Sequence, residues 1–243
     1  MILVNGQLAE TVDALDRGLA YGDGVFRTLR TRAGQPLWWR DQYAKLAADC
    51  SALMLACHEE AVLRAEVCRV AEAGEGVVKI VMTRGVGTRG YALPQGQVTT
   101  RIVLSAPLPA YAQVGSPDAI AARWCTLRLA RQPRLAGIKH LNRLESVLAR
   151  AEWNDPDILE GLLCDDSGAV IGGVMSNMLM VKDGELLTPD LSQCGVAGVA
   201  RTRLLRAAAR LGMRIRIGRL LPDAILAADE VMISNSVIGV RRV

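Results

Sequence analysis

The sequence predicts a mixed fold, α+β in its first part and α/β in its second, arranged in two lobes. Three observations carry this. The chain has 243 residues, enough to bury one large core or two of ordinary size. Short strand patterns and helical patterns follow one another along its whole length. Near the middle, Pro107-Leu108-Pro109 and Gly115-Ser116-Pro117 interrupt them with residues that resist both helix and sheet. Residues 1–108 are therefore expected to form a small N-terminal lobe, 109–118 a connection and 119–243 a larger C-terminal lobe, with a cleft between the two.

The elements follow in order. Met1-Ile2-Leu3-Val4 and the residues from Gln7 flank Asn5-Gly6, a pair that favours a type I′ turn, and predict a hairpin. Residues 25–31 read as a strand, and Ala33-Gly34 turns the chain toward Pro36-Leu37-Trp38-Trp39. Over 40–56 the apolar positions Tyr43, Leu46, Ala47, Cys50, Leu53 and Met54 recur at spacings of three and four, the period of an amphipathic helix. A second helix is expected over 59–73, ending near Gly74 in the left-handed conformation glycine allows. Strands at 77–82 and 101–105, around a glycine-rich loop, complete the first lobe. Beyond the connection, 141–153 reads as a helix. Strands follow at 160–164, 169–171, 178–181 and 185–188, with turns at Asp166-Ser167-Gly168 and Lys182-Asp183-Gly184. A helix over 200–211, a strand over 213–217, a short helix over 222–227 and a strand over 230–233 close the chain. Trp38, Trp39 and Tyr43 are expected to pack in a core or an interface.

Composition excludes several classes of function. The formal charge of +4 is small for this length and the arginines are scattered among apolar residues, so nucleic acid is not the expected partner. Six cysteines are widely spaced and include no C-x-x-C pair, which reads as free thiols in a reducing compartment. Two histidines far apart do not make a histidine-rich zinc site, so no metal is expected. The N-terminus reaches polar residues too soon for a secretory segment, and no apolar run of about 18 residues occurs. The expectation is a cytoplasmic, soluble protein without a membrane partner.

The stretch Gly137-Ile138-Lys139-His140-Leu141-Asn142-Arg143-Leu144-Glu145 sets one lysine in an apolar run at the start of the expected helix. Desolvation and the neighbouring Arg134, Arg143 and His140 would disfavour its ammonium and expose a nucleophilic amine. The same residues also fit a lysine that snorkels its charge to water. Thr83-Arg84-Gly85-Val86-Gly87-Thr88-Arg89-Gly90-Tyr91 links two strands with two arginines among three glycines, and an arginine fork matches a carboxylate. Gly195-Val196-Ala197-Gly198-Val199-Ala200-Arg201 precedes a helix, whose free amides and positive dipole end suit a phosphate. Tyr21-Gly22-Asp23-Gly24 turns into a strand where Phe26 and Thr28 share a face. Each of the last three motifs also fits ordinary turn or loop chemistry.

Together, Asp16-Arg17-Gly18-Leu19-Ala20-Tyr21-Gly22-Asp23-Gly24-Val25-Phe26, Thr83-Arg84-Gly85, Arg89-Gly90-Tyr91, Lys139-His140-Leu141-Asn142-Arg143-Leu144-Glu145, Ser176-Asn177, Thr188-Pro189 and Gly198-Val199-Ala200-Arg201 resemble the fold-type IV pyridoxal-phosphate enzymes, which have the two-lobed D-amino-acid aminotransferase-like fold. The order and spacing match across nearly the whole chain. Within that group the Lys-His-Leu-Asn-Arg-Leu run and the Arg-Gly-Tyr loop look most like the aminodeoxychorismate lyases. Those enzymes convert 4-amino-4-deoxychorismate to 4-aminobenzoate and pyruvate for folate biosynthesis.

The resemblance implies pyridoxal 5'-phosphate as cofactor, held in Schiff-base linkage by Lys139 in the C-terminal lobe, with the same lysine as general base. It implies phosphate contacts from the amides of Val199 and Ala200, from Lys45 where the family usually has arginine, and from Ser234 or Asn235 after the last strand. Asn142, three residues along the helix from Lys139, is implied at the cofactor's ring oxygen. Arg89 and Tyr91 match positions that hold substrate carboxylates, and Thr28 lines the same pocket. A homodimer follows by resemblance alone. One position departs from the pattern: Gly172 stands where the family usually has a glutamate facing the pyridine nitrogen, with Asp165 or Asp166 as possible substitutes. The alternatives are a D-amino-acid or branched-chain aminotransferase of the same fold, and a non-catalytic pyridoxal-phosphate-binding homologue.

Overall fold

The structure, a computed structural model, describes residues 1–71, 73–112 and 119–243. Two compact units emerge: Met1–Pro109 with Lys139–Asn142, and Ala110–Ile138 with Arg143–Val243. The Gly115-Ser116-Pro117 part of the expected connection lies outside the described residues. Among the described residues no helix is long and apolar enough to cross a membrane.

The first unit is built on β1 (Ile2–Val4), β2 (Gln7–Leu8), α1 (Arg17–Tyr21), β3 (Gly24–Arg32), β4 (Gln35–Pro36), α2 (Trp39–Ala52), α3 (Glu60–Val70), β5 (Glu75–Thr83) and β6 (Thr100–Pro107). Its sheet has the order β2-β1-β6-β5-β3-β4, with every neighbouring pair antiparallel. The β1–β2 hairpin forms as the sequence predicts, with Asn5 and Gly6 both at positive φ, 50° and 83°. Along β3, burial alternates: Val25, Arg27, Leu29 and Thr31 are buried, while Phe26, Thr28 and Arg30 are half-buried. Leu29, Leu46, Leu63, Val78, Ile80 and Met82 fill the space between sheet and helices. Each such buried side chain contributes roughly 2 kcal/mol. Trp39 and Tyr43 stack 6.1 Å apart, in keeping with a packing role.

Two helix ends fall earlier than expected. α2 stops at Ala52 because Met54 turns left-handed, φ 55°, and Leu55 N–H donates to the Cys50 carbonyl at 2.8 Å, which closes the helix in a Schellman turn. With methionine in place of glycine at that position, the sequence carries no stop signal. α3 ends at Val70 with Ala71 extended, and Gly74 does not adopt the left-handed conformation. The short α1 was not anticipated; the Asp16 side chain caps its start and Gly22, φ 63°, its end.

The second unit contains β7 (Ala121–Leu129), α4 (Leu144–Arg150), β8 (Ile158–Asp165), β9 (Val170–Gly173), β10 (Asn177–Lys182), β11 (Glu185–Pro189), α5 (Val199–Arg210), β12 (Arg214–Gly218), α6 (Pro222–Leu226), β13 (Glu230–Asn235) and β14 (Gly239–Arg242). Three strands pair in the order β7-β8-β9 and five in the order β12-β11-β10-β13-β14. Cys125, Leu129, Ala149, Trp153, Leu163 and Ile171 pack one core. Met178, Met180, Leu187, Leu220 and Ile225 pack another. β7 and β14 are strands the sequence reading did not identify. The expected 141–153 helix is reduced to α4, and Lys139–Asn142 joins the first unit instead of the C-terminal lobe. The reason is backbone pairing: Phe26 N–H donates to the Lys139 carbonyl and Leu141 N–H to the Gly24 carbonyl, both at 2.9 Å, so these residues are extended against β3.

Candidate active site

In the first unit, Lys139 lies on the start of β3, and its neighbour His140 bridges Val25. The Lys139 ammonium sits 4.4 Å from the centre of the Phe26 ring. Its backbone N–H reaches the Asp49 carboxylate of α2 at 3.3 Å. Asp49 also receives the Lys45 ammonium, four residues earlier on the same helix. Burial pulls the Lys45 pKa down, and Asp49 offsets part of that. Asn142, expected on a helix with Lys139, is instead in the extended segment before α4, and its Nδ2 donates to the Gly22 carbonyl at 3.2 Å. A Cβ on Gly22 would stand 2.5 Å from the Asn142 side chain, so the glycine is required by close approach as well as by its φ.

The antiparallel register sets Thr28 opposite Lys79 and Phe26 opposite Val81, so these four side chains share one face of the sheet. Lys79 also places its ammonium near the Phe26 ring, 4.9 Å from its centre. Sequence reasoning missed Lys79. Its only mark in the sequence is one cation in the apolar run 77–82, and the register that sets it opposite Thr28 gives that cation its meaning.

Of the two loop arginines, Arg84 is not available for a ligand. Its fork is engaged on Asp23, Nε to Oδ2 at 2.7 Å and Nη2 to Oδ1 at 2.9 Å, and it also donates to the Leu53 and Met54 carbonyls. Burial alone would raise the Asp23 pKa, but Arg84 and Arg17 outweigh it and hold the carboxyl below its usual range. Gly90 is tied to α1, accepting from Arg17 and donating to the Tyr21 hydroxyl. Arg89 and Tyr91 on either side are exposed, with the Tyr91 ring 5.4 Å from that of Tyr21.

In the second unit, Asn177 at the head of β10 holds the loop before α5. Its Oδ1 accepts from Gly198 N–H at 2.9 Å and its Nδ2 donates to the Val196 carbonyl at 2.7 Å. A Cβ on Gly198 would collide with that Asn177 oxygen. α5 begins at Val199 with no side-chain cap and no acidic residue in its first turn, so the amides of Val199 and Ala200 are left for an anion. Ser234 pairs with Asn177 across the ladder, and its buried hydroxyl has no hydrogen-bond partner among the described residues. Asn235 is occupied, accepting from Val237 and Ile238 N–H and donating to the Met175 carbonyl. Both residues lie within β13, not after it as expected.

Gly172 is in β9, where a Cβ would approach the Ser176 carbonyl oxygen to 2.9 Å. A buried acid, Glu160, lies beside the adjacent Gly173, where its Oε2 would stand 2.7 Å from a Cβ. Burial pushes Glu160 up, although hydrogen bonds from the Ser176 hydroxyl and from Gly161 N–H oppose it. Asp165 accepts from Ser167 and Ala169 within its own turn, and Asp166 pairs with Arg131. These contacts use Oδ1 of each aspartate.

A family model described as amino-transferase class IV matches residues 24–243. A curated aminodeoxychorismate lyase from Vibrio harveyi is 33% identical over 99% of this chain and 89% of its own length. A putative branched-chain-amino-acid aminotransferase from Methanocaldococcus jannaschii is 29% identical over 97% of this chain and 84% of its own. The crystal structure of 4-amino-4-deoxychorismate lyase from Pseudomonas aeruginosa superposes with a TM-score of 0.95 and 44% identity, covering 100% of this chain and 90% of that one. The fold-type IV architecture expected from the motifs is therefore the observed one. With the family model spanning nine-tenths of the sequence and the motif residues in these positions, the chain belongs to the class IV aminotransferase family.

Proposed function

We propose that this protein is a pyridoxal-phosphate-dependent 4-amino-4-deoxychorismate lyase. The observation that carries the reading is the lysine frame of the first unit: Lys139 is pinned to β3 through its backbone and set over Phe26, on the face that also presents Thr28 and Lys79. The similarity to the lyases of V. harveyi and P. aeruginosa supports it.

The residues present fit the cofactor. Lys139 offers a half-buried amine over an aromatic ring, α5 offers uncapped amides, and Ser234 offers a buried hydroxyl without a partner among the described residues. Lys139 would hold the cofactor covalently. Val199, Ala200, Lys45 and Ser234 would bind its phosphate. When bound, pyridoxal phosphate supplies a carbonyl for an amine and a conjugated ring that accepts electrons from the carbon next to it. With it bound, the Lys139 amine would take the proton from the substrate's C4 and return it to the methylene of the departing enolpyruvyl group as that group's C–O bond to the neighbouring carbon breaks, so that the products are pyruvate and 4-aminobenzoate and aromatisation favours the step. Lys79 and Thr28 orient the substrate, Lys79 as the cation for a carboxylate, and Arg89 and Tyr91 contribute from the loop.

Gly172 favours lyase over aminotransferase. Without a carboxylate at the pyridine nitrogen the cofactor is a weaker electron sink. A reaction helped by aromatisation tolerates that better than two transamination half-reactions do. The test is formation of equal amounts of pyruvate and 4-aminobenzoate, with the product and the cofactor's visible absorbance both lost in Lys139→Ala. The family resemblance further supports a homodimer, and exposed Leu144, Val147 and Leu148 along one side of α4 give it an apolar surface to bury. The free cysteines fit the reducing environment of the cytoplasm.

A further inference from the structure

α2 turns Gln42, Lys45 and Asp49 toward β3 along one stripe. Asp49 is 1% exposed and divides its two oxygens between two tasks. Oδ1 takes the Lys45 ammonium, while Oδ2 accepts the Lys139 N–H at 3.3 Å and lies 3.7 Å from Nη1 of Arg27. Arg27 is 3% exposed, donates to Gln42 at 3.3 Å, and among the described residues keeps Nε and Nη1 without a hydrogen-bond partner. The charged groups around the lysine are Arg27 from β3 and Lys45 and Asp49 from α2, with Lys79 of β5 on the far face of the sheet beside Phe26, and His140 next in the chain. Two cations, Lys45 and Arg27, thus meet one carboxylate that also holds the Lys139 backbone, in a place where water screens little.

We infer that Asp49 is a positioning residue that acts through Lys139 and Lys45: it fixes the first by its backbone N–H and the second by its ammonium, and supplies the negative charge that balances the cations around the lysine. The inference rests on the proposed role of Lys139, but its test does not need the cofactor. A nearby negative charge favours the protonated amine, so removing it makes Lys139 lose its proton at lower pH.

The experiment measures acetylation of Lys139 against pH in the full-length chain freed of pyridoxal phosphate, read by peptide mass spectrometry. Asp49→Asn keeps the shape and one acceptor oxygen but loses the charge. The expected result is a midpoint for Lys139 lower by about one pH unit or more, with the distant Lys182 unchanged. An unmoved Lys139 midpoint in a folded variant would overturn the inference. Asp49→Glu, which keeps the charge and so avoids stranding Arg27, is the second variant: its Lys139 midpoint should stay near the wild-type value while kcat falls at unchanged KM, because the hold on the backbone is lost. Wild-type kcat in Asp49→Glu would contradict the inference equally. Absence of a cofactor band in the wild type would instead count against the proposed function and leave the Lys139 titration to judge Asp49.

Discussion

Phe26 is a modest residue with two charged neighbours. An ammonium over an aromatic face gains about 0.5–2 kcal/mol, the larger value where water is excluded, so the ring gives Lys139 and Lys79 preferred places on one face of the sheet. The two lysines have different tasks in the proposed reaction, and substitution should separate them. Lys79→Met removes a cation for a substrate carboxylate, a contact made in ground and transition states alike. The expected outcome in steady-state kinetics is a KM higher by roughly ten- to a hundred-fold with kcat nearly kept, the loss of a charged hydrogen bond of about 1.5–3 kcal/mol. A fall in kcat at constant KM would place Lys79 in the chemistry instead. Lys139 was legible in the sequence because its motif neighbours carry the resemblance. Lys79 was not, since its meaning depends on the β3–β5 register that sets it opposite Thr28. The Arg84 loop left two readings open for a related reason: an arginine fork in a loop says that a carboxylate is near, but not that the carboxylate is the protein's own Asp23.

At the scale of elements, the start of α5 depends on Asn177, a strand residue that holds Gly198 and Val196 by two hydrogen bonds. Asn177→Ala should loosen the α5 amides without touching Lys139. We expect pyridoxal phosphate to bind about ten-fold more weakly in equilibrium dialysis, from a loss of about 1.4 kcal/mol, while Lys139 still reacts with it. Unchanged affinity would remove α5 from the phosphate site. The strands and helices with strong periods, β3, β5, α2 and α5, were readable within a few residues. The 141–153 helix was overextended because Leu141 continues the apolar period of Leu144, Val147 and Leu148, while its amide is already bonded to Gly24. β7 and β14 escaped because Arg123, Arg128, Arg241 and Arg242 break their apolar patterns.

At the scale of the whole molecule, the proposed homodimer and the proposed reaction are separate questions. Leu144, Val147 and Leu148 are 74%, 60% and 60% exposed in the single chain, a stripe that a monomer would leave in water. If α4 lies in a dimer interface, Leu148→Glu should shift the sedimentation coefficient toward the monomer at micromolar concentration. A wild type that sediments as a monomer would refute the dimer without bearing on the chemistry. The lyase reaction is read most directly from the products of enzymatically generated 4-amino-4-deoxychorismate with pyridoxal phosphate present. Pyruvate and 4-aminobenzoate are expected in a one-to-one ratio, both absent with Lys139→Ala. A cofactor that instead shifts to its amine form on addition of amino acids, with no 4-aminobenzoate produced, would overturn the lyase reading and make the protein an aminotransferase.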